Sequence, residues 1–148
     1  MTYQERKTIS LMLASVLLTF GYAWYVYKFK IADIPIVDLP LSFWAKTTLW
    51  MLPVAIIGRI VFIVLFMILN TIITRETDTE VEDERDKLIE LKSDRISNYF
   101  FMSGFFVAMW ALAFDYPGYL LFIIIFLFGF IGEQFSYIMR LKYYRKGF

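Results

Sequence analysis

Residues 44–73 read W-A-K-T-T-L-W-M-L-P-V-A-I-I-G-R-I-V-F-I-V-L-F-M-I-L-N-T-I-I, and between Leu49 and Asn70 the only charged side chain is Arg59. The hydrocarbon core of a bilayer takes roughly 20 apolar residues as a helix, with ~17–25 tolerated, and this run is longer than that. Inside hydrocarbon every backbone N–H and C=O must be satisfied by the protein itself, so a spanning segment is either a helix or a strand of a closed barrel. Barrel strands alternate apolar and polar side chains over segments of ~10 residues. No such alternation occurs here. The stretch reads as a transmembrane helix, interrupted by Pro53 and Arg59.

Three further apolar runs lie on either side of it. They predict helices over 9–27, 97–116 and 119–140, giving an all-α membrane protein of four spanning helices in a single domain covering 1–148. Arg6 and Lys7 before the first run, with Gly21-Tyr22-Ala23 near its end, have the outline of a cleaved signal. The run continues into Trp24, Tyr25 and Tyr27, past the ~7–15 residues of a signal's apolar region, so it is read as a retained first span. Asp115-Tyr116-Pro117-Gly118 reads as a tight turn in which Pro fixes φ and Gly supplies φ > 0. The helices are thus expected as two hairpins.

Composition points the same way. Hydrophobic residues make up 59% of the 148 and aromatics 20%, above the ~45–50% apolar share of soluble domains, and mean hydropathy is +0.60. A net charge of +1 provides no bulk basic charge for nucleic acid. Cysteine and histidine are both absent, which removes disulfides, thiol chemistry, the commonest zinc and haem ligands and every histidine-based proton transfer. No phosphate-binding glycine loop, G-x-S-x-G or H-E-x-x-H occurs. The chain is expected to be non-enzymatic and without a cofactor, with the lipid bilayer as its first partner.

Lys and Arg set the orientation. The N-terminus, the loop between the second and third runs and the C-terminus together carry 11 of them, whereas the other side has Lys28, Lys30 and Lys46 only. Positive loops stay inside, which puts both termini and the central loop in the cytoplasm. Trp24, Trp44, Trp110 and Tyr119 fall near the outer boundary, as an aromatic belt would. The outer loop 28–43 contains Pro35 and Pro40, which bar a continuous helix, and its Ile, Val and Leu suit a segment lying on the membrane surface.

The central loop is strongly acidic. Residues 75–95 hold five basic and nine acidic side chains, a net charge of −4. Thr79 and Glu82 fit a capping box. Glu82 with Arg85 and Asp83 with Lys87 have the i,i+3 and i,i+4 spacing of helical ion pairs. One cytoplasmic helix is predicted over 79–97, running into the third span, with Leu88, Ile89, Lys92 and Ile96 on one face. Its acids from Asp78 to Asp86 mimic the start of a calcium loop. The glycine such a loop needs is replaced by Asp83 and its closing Glu by Ile89, so no metal site is expected. The exposed residues Glu82, Asp83, Glu84, Arg85 and Asp86 are the candidate docking surface for a cytoplasmic or membrane protein partner. D-E-R-D-K-L-I-E-L-K at 83–92 resembles a D-E-R-x-x-x-I motif found just before a transmembrane hairpin in small bacterial multi-pass membrane proteins of uncharacterised function. Some of these are thought to be encoded beside small DNA-binding regulators. The resemblance implies a bacterial inner-membrane location and a regulatory or partner-binding role, and it supplies no catalytic residues.

Polar residues inside the spans are the remaining candidates. Arg59 lies about 15 Å from either end of its apolar run. An arginine there costs at least ~2.5–3.5 kcal/mol on insertion scales, so it needs a partner in the bundle. Thr48, Arg59 and Asn70 are eleven residues apart and share one stripe. Glu133, the only acid well inside an apolar run, has Ser136, Tyr137 and Arg140 on its face. Arg59 is 15 residues after Trp44 and Glu133 is 14 after Tyr119, so the two reach similar depth if the outer ends align. An Arg59–Glu133 pair is the economical arrangement; the alternatives are Glu133 paired with Arg140 or lying in the inner interface. Ile57-Gly58-Arg59 and Ile131-Gly132-Glu133 echo one another at an offset of 74 residues, which hints at duplicated hairpins. Gly104 and Ala108 have a small-x-x-x-small spacing suited to close packing within the chain or in a homodimer. Phe122, Phe126, Phe128 and Phe130 are expected to face lipid. Two functions compete: a regulatory protein docking through its acidic helix, and a small dimeric transporter or channel using Arg59 and Glu133. A dry pair favours the first, a water-filled cavity reaching Glu133 the second.

Overall fold

The computed structural model describes residues 2–74 and 83–146. Four helices form the fold: α1 (Tyr3–Val26), α2 (Leu41–Thr74), α3 (Glu84–Ala113) and α4 (Tyr119–Lys146). All four are long and apolar enough to cross a membrane, and no strand occurs among the described residues. At 1.5 Å per residue they measure about 36, 51, 45 and 42 Å, against a hydrocarbon core of about 30 Å.

α1 starts six residues before the apolar run. Thr2 Oγ1 accepts a hydrogen bond from the Glu5 backbone N–H and the Glu5 carboxylate accepts one from the Thr2 N–H, so a T-x-x-E capping box opens α1. Hydropathy marks where a helix meets lipid and is blind to a polar first turn. After Val26 the helix widens into a π-turn (Tyr27–Ile31), and a short 3-10 turn (Ile36–Asp38) follows before Pro40. α2 runs unbroken through Pro53. α3 is capped by Asp83, with Asp86 closing the box; Thr79 and Glu82, where the sequence places that cap, lie outside the described residues.

α3 ends at Ala113, three residues short of the expected 116. The Tyr116 N–H bonds the Ala111 carbonyl and the Asp115 N–H that of Leu112. This is a Schellman motif, and the residue it forces into the left-handed region is Asp115, at φ 59°. The expected role of Gly118 is therefore corrected: a short polar Asp tolerates that conformation, and Gly118 instead lies against the Leu41 side chain.

α4 is the centre of the bundle. It packs along α3 and also touches α1 and α2; α1 packs on α2, while α3 makes no extended contact with α1 or α2. This corrects the reading of the α4 phenylalanines as lipid-facing. Phe122, Phe126, Phe128 and Phe130 are all half-buried, Phe128 seated on Gly104 and Phe130 edge-on to Phe20. Gly104 and Ala108 are buried, and Gly104 is occupied by α4 of the same chain. The buried face of α3 is also turned by one position. Ile89 and Ser93 are fully buried, whereas Leu88, Leu91 and Lys92 are exposed. α2 carries the opposite character: none of its most apolar stretch is buried.

The two ends of the bundle are chemically distinct. At the loop end Trp44 stacks on Tyr119 with ring centroids 5.8 Å apart, and the Tyr22 hydroxyl donates to the Thr47 carbonyl. At the terminal end Glu5 meets Arg145 at 3.6 Å and Gln4 donates to Asp86.

Candidate functional site

The Trp44–Tyr119 stack aligns α2 and α4 at one end, so residues at equal distance along them share a level. Arg59 and Glu133 lie about 21–22 Å from that stack. The structure brings them together, Arg59 Nη2 donating to Glu133 Oε1. The same oxygen accepts from the Tyr137 hydroxyl at 3.1 Å, one turn along α4. Oε2 accepts from Ser15 Oγ of α1 at 2.7 Å, and Ser15 in turn accepts from Gln134 Nε2 at 3.2 Å. Three helices thus converge on one carboxylate.

Arg140 takes no part in that cluster. It sits seven residues further along α4, about 10 Å of rise, and pairs with Glu90 and Asp94 of α3, each at 3.0 Å. Ser136 Oγ donates to the same Asp94 oxygen at 3.0 Å, and the Arg140 guanidinium lies over the Tyr137 ring. The i,i+4 acids of α3 therefore face the i,i+4 Ser–Arg of α4 as a ladder.

Between the two clusters lies a cavity of about 770 Å³, walled by Arg59, Glu133, Tyr137 and Asn98 among others and reaching Glu90, Asp94 and Arg140 at the terminal end. Leu11, Ile63 and Phe101 supply apolar wall. α4 is its floor, with α1 and α2 on one side and α3 on the other. Since α3 makes no extended contact with α1 or α2, packing between them does not seal the side facing away from α4, apart from the Gln4–Asp86 contact at the terminal end.

The sequence-predicted residues divide accordingly. Arg59, Glu133, Tyr137 and Arg140 line one cavity. Thr48 does not belong with them: its hydroxyl donates to the Trp44 carbonyl within α2, and it lines a separate, nearly apolar cavity of about 210 Å³ at the loop end. Asn70 is buried, eleven residues or about 16 Å beyond Arg59. Of the candidate docking residues, Asp83, Glu84 and Arg85 are exposed, Asp86 is engaged by Gln4, and Glu82 lies outside the described residues. Within the D-E-R-x-x-x-I motif, Asp83 caps α3 and Ile89 is fully buried, so both ends of the motif have local structural work. Ser15, Asn98, Glu90 and Asp94 were not singled out from sequence. The matched spacing of Glu90/Asp94 and Ser136/Arg140 is the signal that would have found the last two.

Among the described residues no group of three acidic side chains converges as a metal cluster. No known protein family, curated protein or solved structure matches the chain.

Proposed function

We propose that the chain is a non-enzymatic multi-pass protein of a bacterial inner membrane that binds a polar ligand within the bilayer and carries or gates it. Four helices of spanning length support the membrane reading. The uneven Lys and Arg distribution supports two hairpins, with both termini and the acidic start of α3 in the cytoplasm. The bacterial location rests on the resemblance of residues 83–92.

One observation carries the ligand reading: Arg59 and Glu133 stand in the wall of a 770 Å³ cavity rather than inside apolar packing. A pair that only fixes helix register is best enclosed, because water weakens it. A pair beside a polar cavity stays reachable, and intramembrane ionisable groups so placed mark ion and solute paths. This favours the transporter or channel over regulatory docking. The docking reading keeps one supporting observation, the exposure of Asp83, Glu84 and Arg85 at the start of α3.

The absence of cysteine makes the test direct. A Cβ at Gly129, in the cavity wall, would meet only Phe101 at an ordinary 3.8 Å. Gly129→Cys and Asn98→Cys should therefore react with a membrane-impermeant maleimide from the cytoplasmic side of vesicles. Ile57→Cys, on the exposed apolar face of α2, should stay unlabelled. Failure of both cavity positions to react from either side sinks the ligand reading; reaction from the opposite side overturns the orientation.

A further inference from the structure

The charges around the cavity are not equally available. Both oxygens of Glu133 are engaged, Oε1 by Arg59 and Tyr137 and Oε2 by Ser15. Arg59 reaches Glu133 through Nη2 and its side chain is 42% exposed, so its other N–H groups are left for the cavity. A guanidinium offers five donors in a planar fork that matches a phosphate or carboxylate edge. At the terminal end the balance is reversed. Arg140 is 11% exposed and enclosed by Glu90 and Asp94, whose own side chains are 49% and 54% exposed. The inner part of the cavity therefore presents donors and its mouth presents carboxylate oxygens. Asp94 is held by Ser136 and Arg140, three and seven residues along α4 from Glu133, which is about 5–10 Å of rise.

The geometry points to a zwitterionic ligand, its anionic group on Arg59 and its ammonium on the exposed sides of Glu90 and Asp94, beyond the oxygens that Arg140 holds, supplied as the phosphoethanolamine headgroup of a membrane lipid. The inference rests on the reading of the cavity as a ligand site. A simple anion would meet a mouth where two half-exposed acids share the single Arg140. A simple cation would meet Arg59, with Glu133 already engaged. A zwitterion matches both ends. The lipid source follows from the walls: Leu11, Ile63 and Phe101 are apolar, and packing of α3 on α1 or α2 does not seal the side away from α4. A lipid entering there lays its chains along those walls while its headgroup takes the polar floor.

The test is native mass spectrometry of the full chain in micelles doped with phosphatidylethanolamine or phosphatidylglycerol. Phosphatidylethanolamine should be retained about tenfold more tightly. Glu90→Gln with Asp94→Asn should erase that preference while circular dichroism and monodispersity stay unchanged. Arg59→Lys, which keeps a cation for Glu133 but loses the fork, should lower retention of both lipids, so the placement stays testable if the double variant does not fold. Equal retention of the two lipids by the unaltered protein overturns the zwitterion, and a preference that survives loss of both acids overturns its placement. Soluble phosphoethanolamine displacing the lipid at equal concentration shows a free solute as the ligand and overturns the lipid source. Labelled Gly129→Cys without any lipid preference defeats this inference and leaves the ligand site standing; unlabelled Gly129→Cys defeats the site itself.

Discussion

Gly58 on α2 and Gly132 on α4 hold the same place in their Ile-Gly-charge triplets, and each turns toward the helix that precedes its own in the chain. What each would strike differs in kind. A Cβ on Gly58 would fall 2.5 Å from the tip of Leu18 on α1. A Cβ on Gly132 would fall 2.7 Å from Phe100 Cβ and 3.0 Å from the Ser97 carbonyl oxygen of α3. The first contact is with the free end of a side chain, which can rotate. The second is with groups fixed to a backbone. In lipid no hydrophobic force drives helices together, so association rests on close packing and polar contacts, and small residues set how near backbones come. The α3–α4 seam has that closeness along its length, at Gly104 under Phe128, at Gly132, and at the Phe100–Phe135 stack with centroids 4.9 Å apart. The α1–α2 half is held more loosely, and α2 is tied to the centre by the Trp44–Tyr119 stack at one end and by the Arg59–Glu133 contact midway along it.

The strongest way to break this comparison is to cut the Arg59–Glu133 tie. Removing one partner of a fully buried pair costs ~3–5 kcal/mol in soluble cores; this pair borders a cavity and Arg59 is 42% exposed, which lowers the cost below that range. Glu133→Leu should lower the thermal midpoint of the detergent-solubilised protein by the largest amount, and Arg59→Leu in the same chain should restore much of it. No recovery in the double variant would mean that Ser15 and Tyr137, left without Glu133, matter more than the uncompensated charge.

A smaller effect distinguishes the halves. Overpacking a tight contact costs typically ~1–3 kcal/mol. Gly132→Ala and Gly104→Ala should both fall in that range, the latter because Phe128 Cβ stands 2.3 Å from the added carbon. Gly58→Ala should cost less than ~1 kcal/mol once Leu18 rotates. Equal losses at Gly58 and Gly132, measured by thermal unfolding in one detergent, would erase the distinction.

The smallest effect is a control. Nothing lies within 4 Å of a Cβ placed on Gly21, so Gly21→Ala should be neutral or stabilise by up to ~1 kcal/mol through helix propensity. A clear destabilisation there would place an unseen neighbour, such as a second copy of the chain, against that face of α1.

Much of this was readable before any coordinates. The four helices of spanning length, the continuity of residues 84–97 with the rest of α3, and Arg59 and Glu133 at one level all follow from hydropathy and residue counting. The missed features share a cause. The exposure of Leu88 and Lys92 beside the buried Ile89, the half-buried phenylalanines of α4 and the partners of Arg140 all depend on which side of a helix meets another helix.

The sequence by itself determined how many helices are long and apolar enough to cross a membrane and how far along each its polar residues lie, because hydropathy weighs each residue against its solvent one at a time. Tertiary structure alone decided that α4 is the central helix, that Asp115 and not Gly118 takes the left-handed turn, that Arg140 answers Glu90 and Asp94, and that a polar cavity opens beside Arg59 and Glu133. The physical reason is that a side chain facing lipid and one facing a neighbouring helix are equally apolar in a membrane. Periodicity cannot tell them apart, and only the packing of one helix on another does.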